Sequence, residues 1–492
     1  MLEQVDNQKH FINFISVWLV YVMSMILPVI IMLCLGRFYA VEEFGNYSVA
    51  ASFMGAMAIF LSFGLGNVVS YEIAAIKDKE KPKVSELIIS SVVSLFIFSI
   101  FGIFLTAVSL YFLNYNAEIV RVAILLGIGY WFIGANSILS GVFMGLKKMH
   151  IPAIAAFFVV LAAIALVVPS LYFHCPLWEI ALAWALSQGI GCSVTLWYLH
   201  KEGLLMRSKI KKEQIKLMLK RSVGIGFDSV ISRFGANLTN ILLPVYLTAY
   251  QIGLFNGAFK PFVLLAFPGE CCMRFFSPYI AGIRDSAKEN IGEYLSFMHK
   301  VVAFFTLTIL IIPIFFSTTL IKLVFGEKLI ESASYMAVLA FGYMIFYLPP
   351  QSPPLMALSL EWKVIWCSIV RFLSNLIAII VFIPKYGIMG AVIAINISLF
   401  GYWIMTIIIY KKAKLRPVKN PFRYIVFAAT TFLLGWIMNK WVSKELLGVV
   451  LFLVITGLFS LIVYWDKSEK QMAIPHARVV MRKLGFGFLI KA

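Results

Sequence analysis

Eight residues carry chemistry that their surroundings make costly. Asp228, Arg233, Asn237 and Asn240 fall in an apolar run from about Ser222 to Leu247. Lys260, Glu270 and Arg274 fall in the next run, and Arg371 in a later one. An ionised side chain in mid-bilayer costs ~2.5–3.5 kcal/mol on insertion scales, so it persists where it faces a wet cavity or a partner. Asp228 and Arg233 lie five positions apart, about 140° around a helix, and are poor partners for each other. Glu270 and Arg274 stand at i and i+4 with the acid first, the favourable order for a pair on one helix. Lys300 lies near a span end, where it can snorkel. The chemistry on offer is electrostatic. Arg233, Lys260, Arg274 and Arg371 can draw an anion, with Asn237 and Asn240 one and two turns beyond Arg233. Asp228 and Glu270 can exchange a proton or a sodium ion beside those cations.

Covalent chemistry finds no such footing. The six histidines are isolated, and no HExxH, no GxxxxGK[ST] and no nucleophile elbow occurs. The six cysteines are scattered in apolar segments, apart from Cys271 and Cys272, without the spacing of a metal site or disulfide framework. No metal, no cofactor and no enzymatic activity are expected.

The elements that must hold those charges are membrane helices. Of 492 residues, 61% are hydrophobic and 13% charged, against about half and a quarter in a soluble chain; mean hydropathy is +0.92. The polar start MLEQVDNQKH and the length of the run after it do not read as a cleavable signal peptide. Hydropathy predicts an all-α polytopic membrane protein with about 14 transmembrane helices. Their cores run near 11–35, 47–73, 86–112, 119–145, 152–173, 177–199, 223–248, 253–280, 297–321, 333–360, 364–383, 387–410, 424–442 and 446–465. The net charge of +19 does not imply a nucleic-acid partner. About 30 of the 42 Lys and Arg fall in alternate gaps and the tail, and about seven in the gaps between. That bias predicts both termini on the cytoplasmic side.

The chain also repeats. FYAVEEFGNYSVAASF, Phe38 to Phe53, aligns without gaps on YLTAYQIGLFNGAFKP, Tyr246 to Pro261, so that Gly45 meets Gly253. MGLKKMHIP, from Met144, echoes LSLEWKVIW, from Leu358. Six helices followed by six in the same orientation predict two six-helix bundles in parallel repeat, facing each other across a cavity. The expected organisation is an N-lobe at 1–200, a basic cytoplasmic linker at 201–222, a C-lobe at 223–410, a helix pair at 424–465 and a cytoplasmic tail at 466–492. The tail mixes basic and apolar residues and can lie along membrane lipid.

LGRFYAVEEFGNYSVAASF with its continuation GLGNVVSYEIA, and IPKYGIMGAVIAINIS from Ile383 to Ser398, resemble bacterial polysaccharide flippases of the Wzx type. That family belongs to the superfamily of multidrug, oligosaccharidyl-lipid and polysaccharide exporters. The resemblance covers roughly residues 10–410. It implies alternating-access transfer of an undecaprenyl-diphosphate-linked oligosaccharide, such as an O-antigen repeat unit, across a bacterial cytoplasmic (inner) membrane. It also implies contact with a polysaccharide polymerase and a chain-length regulator. A diphosphate suits arginine, whose planar fork grips phosphate oxygens in pairs. Asn136, Gln188, Asn256 and Tyr246 can hydrogen-bond or stack on sugars. Where many relatives carry an arginine near the end of the second helix, this chain has Tyr71-Glu72, so no role transfers there. The alternatives are a multidrug exporter of the same superfamily, whose cationic substrates intramembrane cations would repel, and a membrane-embedded polysaccharide polymerase, which would want a large outer loop.

Overall fold

The computed structural model describes residues 30–76, 81–146, 148–204, 212–262, 291–348, 360–415, 421–441 and 445–459, with a few isolated positions besides. Among them the regular elements are helices. They are α1 (30–38), α2 (Val41–Ser62), α3 (Leu65–Ala75), α4 (Lys81–Leu113), α5 (Ala117–Gly145), α6 (His150–Tyr172), α7 (Leu177–Lys201), α8 (Lys212–Tyr246) and α9 (249–262). They continue as α10 (Ile291–Phe315), α11 (Ser317–Phe325), α12 (Ser332–Tyr347), α13 (Glu361–Lys412), α14 (Pro421–Trp441) and α15 (Glu445–Phe459).

Eight of the described helices are long and apolar enough to cross a membrane. One of them, α13, has 52 residues. At ~1.5 Å per residue that is far longer than a ~30 Å hydrocarbon core. It bends beside Pro384 at Gly387, whose φ of 57° and ψ of −128° suit only glycine, and so forms two arms. The outward surfaces are apolar: on α4, Ile100 is 71% and Phe104 65% exposed. Such a face has no place in water and matches lipid.

Chain signals set the helix ends. Asn116 caps α5, its Oδ1 accepting from the Ile119 amide at 2.8 Å. Glu43 reaches back from the first turn of α2 to accept from the Ala40 amide at 3.0 Å. The second expected span is broken rather than continuous. Phe63 (φ 43°) and Gly64 (φ 76°) are both left-handed, so α2 stops at Ser62 and α3 restarts at Leu65 with no side-chain cap. A bulky residue in that region is strained.

Packing divides the chain into two compact units. The first comprises Met1–Leu264, Val324–Tyr335 and Arg371–Ser398, and the second Leu265–Leu323, Met336–Val370 and Leu399–Ala492. In the first, α2 packs on α4, α5 and α8, while α5 packs on α3 and α7. Its core includes Leu65, Val69, Val142, Phe143 and Leu199, all buried. In the second, α14 and α15 pack on α10 and on each other. Ala303, Leu307, Tyr424 and Phe427 are buried together there, and the Tyr424 hydroxyl donates to the Ser296 carbonyl at 3.3 Å.

Within the first unit, two glycines matched by the repeat meet across α2 and α9. A Cβ on Gly45 would strike the Ala249 carbonyl and lie 2.9 Å from the Gly253 nitrogen. A Cβ on Gly253 would strike the Val41 carbonyl. Ala249 is the repeat counterpart of Val41, so the contact is reciprocal, as at a two-fold axis.

Candidate functional site

α8 carries four of the eight predicted residues. Arg233 is exposed. Among the described residues no carboxylate comes within ion-pair distance of it. Asn237 is half-buried and donates its Nδ2 to the Arg233 carbonyl at 2.9 Å, one turn back on its own helix. Asn240 is 3% exposed, and its Oδ1 is buried with no hydrogen-bond partner among the described residues. Beside it Thr239 and Asn375 hydrogen-bond, Nδ2 of Asn375 donating at 3.2 Å, which ties α8 to the first arm of α13. Asp228 lies on α8, but its side chain lies outside the described residues.

The other four are spread along the chain. Lys260 on α9 is half-buried, with Nζ 5.9 Å from the centre of the Phe259 ring, a cation–π contact. Arg371 on α13 is half-buried, and its carbonyl accepts from the Ser374 hydroxyl at 3.2 Å. Glu270 and Arg274 lie outside the described residues. Arg233, Lys260 and Arg371 all belong to the first compact unit.

The surroundings of Arg233 hold residues that sequence reasoning passed over. In the same unit, Tyr130 of α5 lies among α2, α5 and α7. The Tyr130 ring packs edge-on against Trp184 of α7, centroids 5.2 Å apart. Its hydroxyl stands 3.2 Å from where a Cβ on Gly55 of α2 would be. Phe234, next to Arg233, packs against Phe60 at 5.7 Å, just before the α2–α3 break. Arg233 therefore stands next to a residue that packs on the end of α2, where the helix is discontinuous. The pair of glycines in Phe63-Gly64-Leu65-Gly66 was the available signal for the break, since each glycine costs ~1 kcal/mol in a helix interior.

At the other end of α8, Arg221 forms an ion pair with Glu72 of α3. Ser90 donates to Gln214 Oε1 at 3.3 Å on the same side of the unit's packing. The departure at Tyr71-Glu72 thus has a local use: its acid holds the start of α8. The pair is partly exposed, so its worth is modest, ~0.2–1 kcal/mol. Glu72→Arg should lower stability by setting two cations together. Adding Arg221→Glu should restore it, as measured by a double-mutant cycle on thermal stability of the detergent-solubilised protein.

Solved structures share this fold. The inward closed lipid II flippase MurJ superposes with a TM-score of 0.71 at 15% identity, covering 92% of this chain and 99% of that one. A multidrug resistance MATE family transporter of the MOP superfamily, inward-facing, gives 0.59 at 18% identity, covering 80% and 94%. A MOP superfamily transporter from Pyrococcus furiosus, whose binding pocket is described as of reverse polarity, gives 0.56 at 15% identity, covering 82% and 94%. The fold is therefore shared with these multi-pass membrane proteins. The polysaccharide biosynthesis protein family matches residues 12–267, just over half of the chain, and the chain belongs to that family. The capsular polysaccharide biosynthesis protein CapF of Staphylococcus aureus is 21% identical over 222 residues, 44% of this chain and 55% of that protein. The match thus spans about half the length of that relative.

Proposed function

We propose that the protein is a flippase that carries a lipid-linked oligosaccharide, its saccharide joined through a diphosphate to a polyprenyl lipid, across a bacterial cytoplasmic membrane. The observation that carries this reading is Arg233: an exposed guanidinium within an apolar helix, with no carboxylate in reach among the described residues, next to Phe234, which packs on Phe60 of α2. An exposed cation in a membrane helix is set to receive an anion, and a diphosphate is the anion that polysaccharide carriers present. The uncapped start of α3 adds support, because half-helix N-termini favour anionic groups. Lys260, Arg371 and Arg274 add charge in this reading, Asn237 and Asn240 add polar contacts, and Asp228 and Glu270 exchange a proton or sodium ion to couple transport.

In this reading the chain crosses the membrane fourteen times with both ends cytoplasmic, and two six-helix lobes alternate access. The reciprocal Gly45–Ala249 and Gly253–Val41 contacts support a parallel repeat. O-antigen is the substrate taken first, and the polymerase and chain-length regulator are the partners that would follow it. Export is non-enzymatic, driven by the coupled ion.

The reading is tested by removing the gene. Surface polysaccharide should disappear while lipid-linked repeat units accumulate on the inner leaflet; unchanged surface polysaccharide overturns it. Orientation is tested separately. Single cysteines at Asn116, Tyr250 and Lys385 should react with an impermeant thiol reagent from outside, and cysteines at Lys79, Lys211 and Lys414 should not. External labelling at Lys211 would overturn both the orientation and the repeat.

A further inference from the structure

The first unit holds a polar cavity to which α8 contributes no lining residue. It lies where α2, α5 and α7 begin, has a volume of about 510 Å³, and is lined by Glu43, Glu118, Arg121, His174 and Trp178, among others. That volume falls within the ~300–1,000 Å³ of small-molecule sites.

Its walls are fixed by hydrogen bonds. Glu118 accepts from Asn46 Nδ2 at 2.6 Å, and Asn116 donates to Asn46 Oδ1 at 3.3 Å. Glu43 holds the Ala40 amide with Oε2. Each carboxylate thus has one oxygen anchored to the protein. The turn that supplies His174 is held from α1's end: the Tyr39 hydroxyl donates to the Cys175 carbonyl at 2.7 Å, and the Tyr39 and His174 rings lie 5.7 Å apart. Burial, with Cys175, Glu43 and Glu179 beside it, pushes the Tyr39 hydroxyl up to about 12, so it stays a donor. His174 sits at φ 51°, a left-handed conformation for a residue with a side chain. Strain of that kind persists only where surrounding structure imposes it, and it gathers at binding sites.

The lining selects a ligand class. Two carboxylates disfavour an anion, and Arg121 disfavours a cation. Among the described residues no group of three His, Cys, Asp or Glu is placed to hold a metal ion. What remains is a neutral molecule rich in hydroxyls, which can donate to carboxylate and accept from guanidinium and indole. Trp178, 36% exposed at the first turn of α7, adds an apolar ring face for the C–H side of a pyranose.

We propose that this cavity is a carbohydrate-binding subsite, with a pyranose ring on Trp178 and its hydroxyls shared among Glu43, Glu118 and Arg121. It deepens the flippase reading, on which it rests for the sugar's origin, by giving the saccharide a place apart from its diphosphate. The other source is free saccharide in the surroundings.

Saturation-transfer NMR on the full chain in neutral-lipid nanodiscs, with methyl α-glucopyranoside and N-acetylglucosamine as probes, tests the site directly. Transfer to ring protons is expected with at least one probe. It should fall at least five-fold in Trp178→Ala and in Glu118→Gln, and recover in part with Trp178→Phe. Trp362→Ala, at an exposed ring outside this cavity, should leave it unchanged, and because the probes carry no lipid diphosphate, failure of the flippase reading does not hide the result. Absence of transfer, or equal transfer in Trp178→Ala, overturns the proposal. A second arm decides the source. Trp178→Ala at normal membrane abundance should cut surface polysaccharide several-fold if the exported saccharide is bound. Full export with lost probe binding would reject that origin and assign the site to free saccharide.

Discussion

Arg233→Ala should abolish export while the protein remains inserted at normal abundance. Alanine is better tolerated in hydrocarbon than arginine, so loss of function would not be loss of insertion. Truncating one partner of a desolvated, hydrogen-bonded charge pair costs ~2–5 kcal/mol, roughly 30-fold or more in affinity. Arg233→Lys should keep partial activity, since lysine retains the charge but lacks the fork that grips two phosphate oxygens. The readout is complementation of a flippase-deficient strain, scored as surface polysaccharide with membrane abundance measured in parallel. A purely neutralising arginine behaves otherwise. If Arg233 served only to balance Asp228, the single substitution would strand an acid and the Asp228→Ala, Arg233→Ala double variant would regain function. That rescue, or full export by Arg233→Ala alone, would remove phosphate binding as its role.

The second large effect is expected where α2 meets α9. Gly45→Val and Gly253→Val should each lower export about ten-fold or more, with the protein still in the membrane. Each added side chain meets backbone, Ala249 or Val41, and backbone has no rotamer through which to yield. Overpacking of close-packed interiors costs ~1–3 kcal/mol, and 3 kcal/mol shifts a two-state population by roughly 100-fold. The state in which α2 and α9 touch would be depopulated. Gly45→Ala should be milder in the same direction. A cysteine at Ser48, one turn from Gly45 and fully buried, should become reactive to an impermeant thiol reagent in the valine variants. Normal export by Gly253→Val would show that the contact is not part of the working cycle.

Much of the helix pattern was legible because hydrophobic length is a local property. Spans near 86–112, 119–145, 152–173 and 177–199 correspond to α4, α5, α6 and α7, whose ends follow from Asn116, the Pro176 turn and the basic gaps. The break in the second span was not, because hydropathy averages over Phe63 and Gly64 and cannot see two left-handed residues. Arg233 stood out in the sequence for the same reason that the helices did, as a charge where only apolar residues are cheap.

What the sequence by itself determined is which segments are apolar enough to be membrane helices, where charge interrupts them, and that Gly45 and Gly253 are counterparts. Those are matters of composition and spacing along the chain. Only the tertiary structure decided that the two glycines touch, that Arg221 reaches Glu72, that Arg233 is exposed while Asn240 is buried, and that Glu43, Glu118, Arg121 and Trp178 share one cavity. Each of these joins residues tens to hundreds of positions apart. Helical periodicity orders neighbours within a few turns, whereas close packing between helices chooses which faces meet.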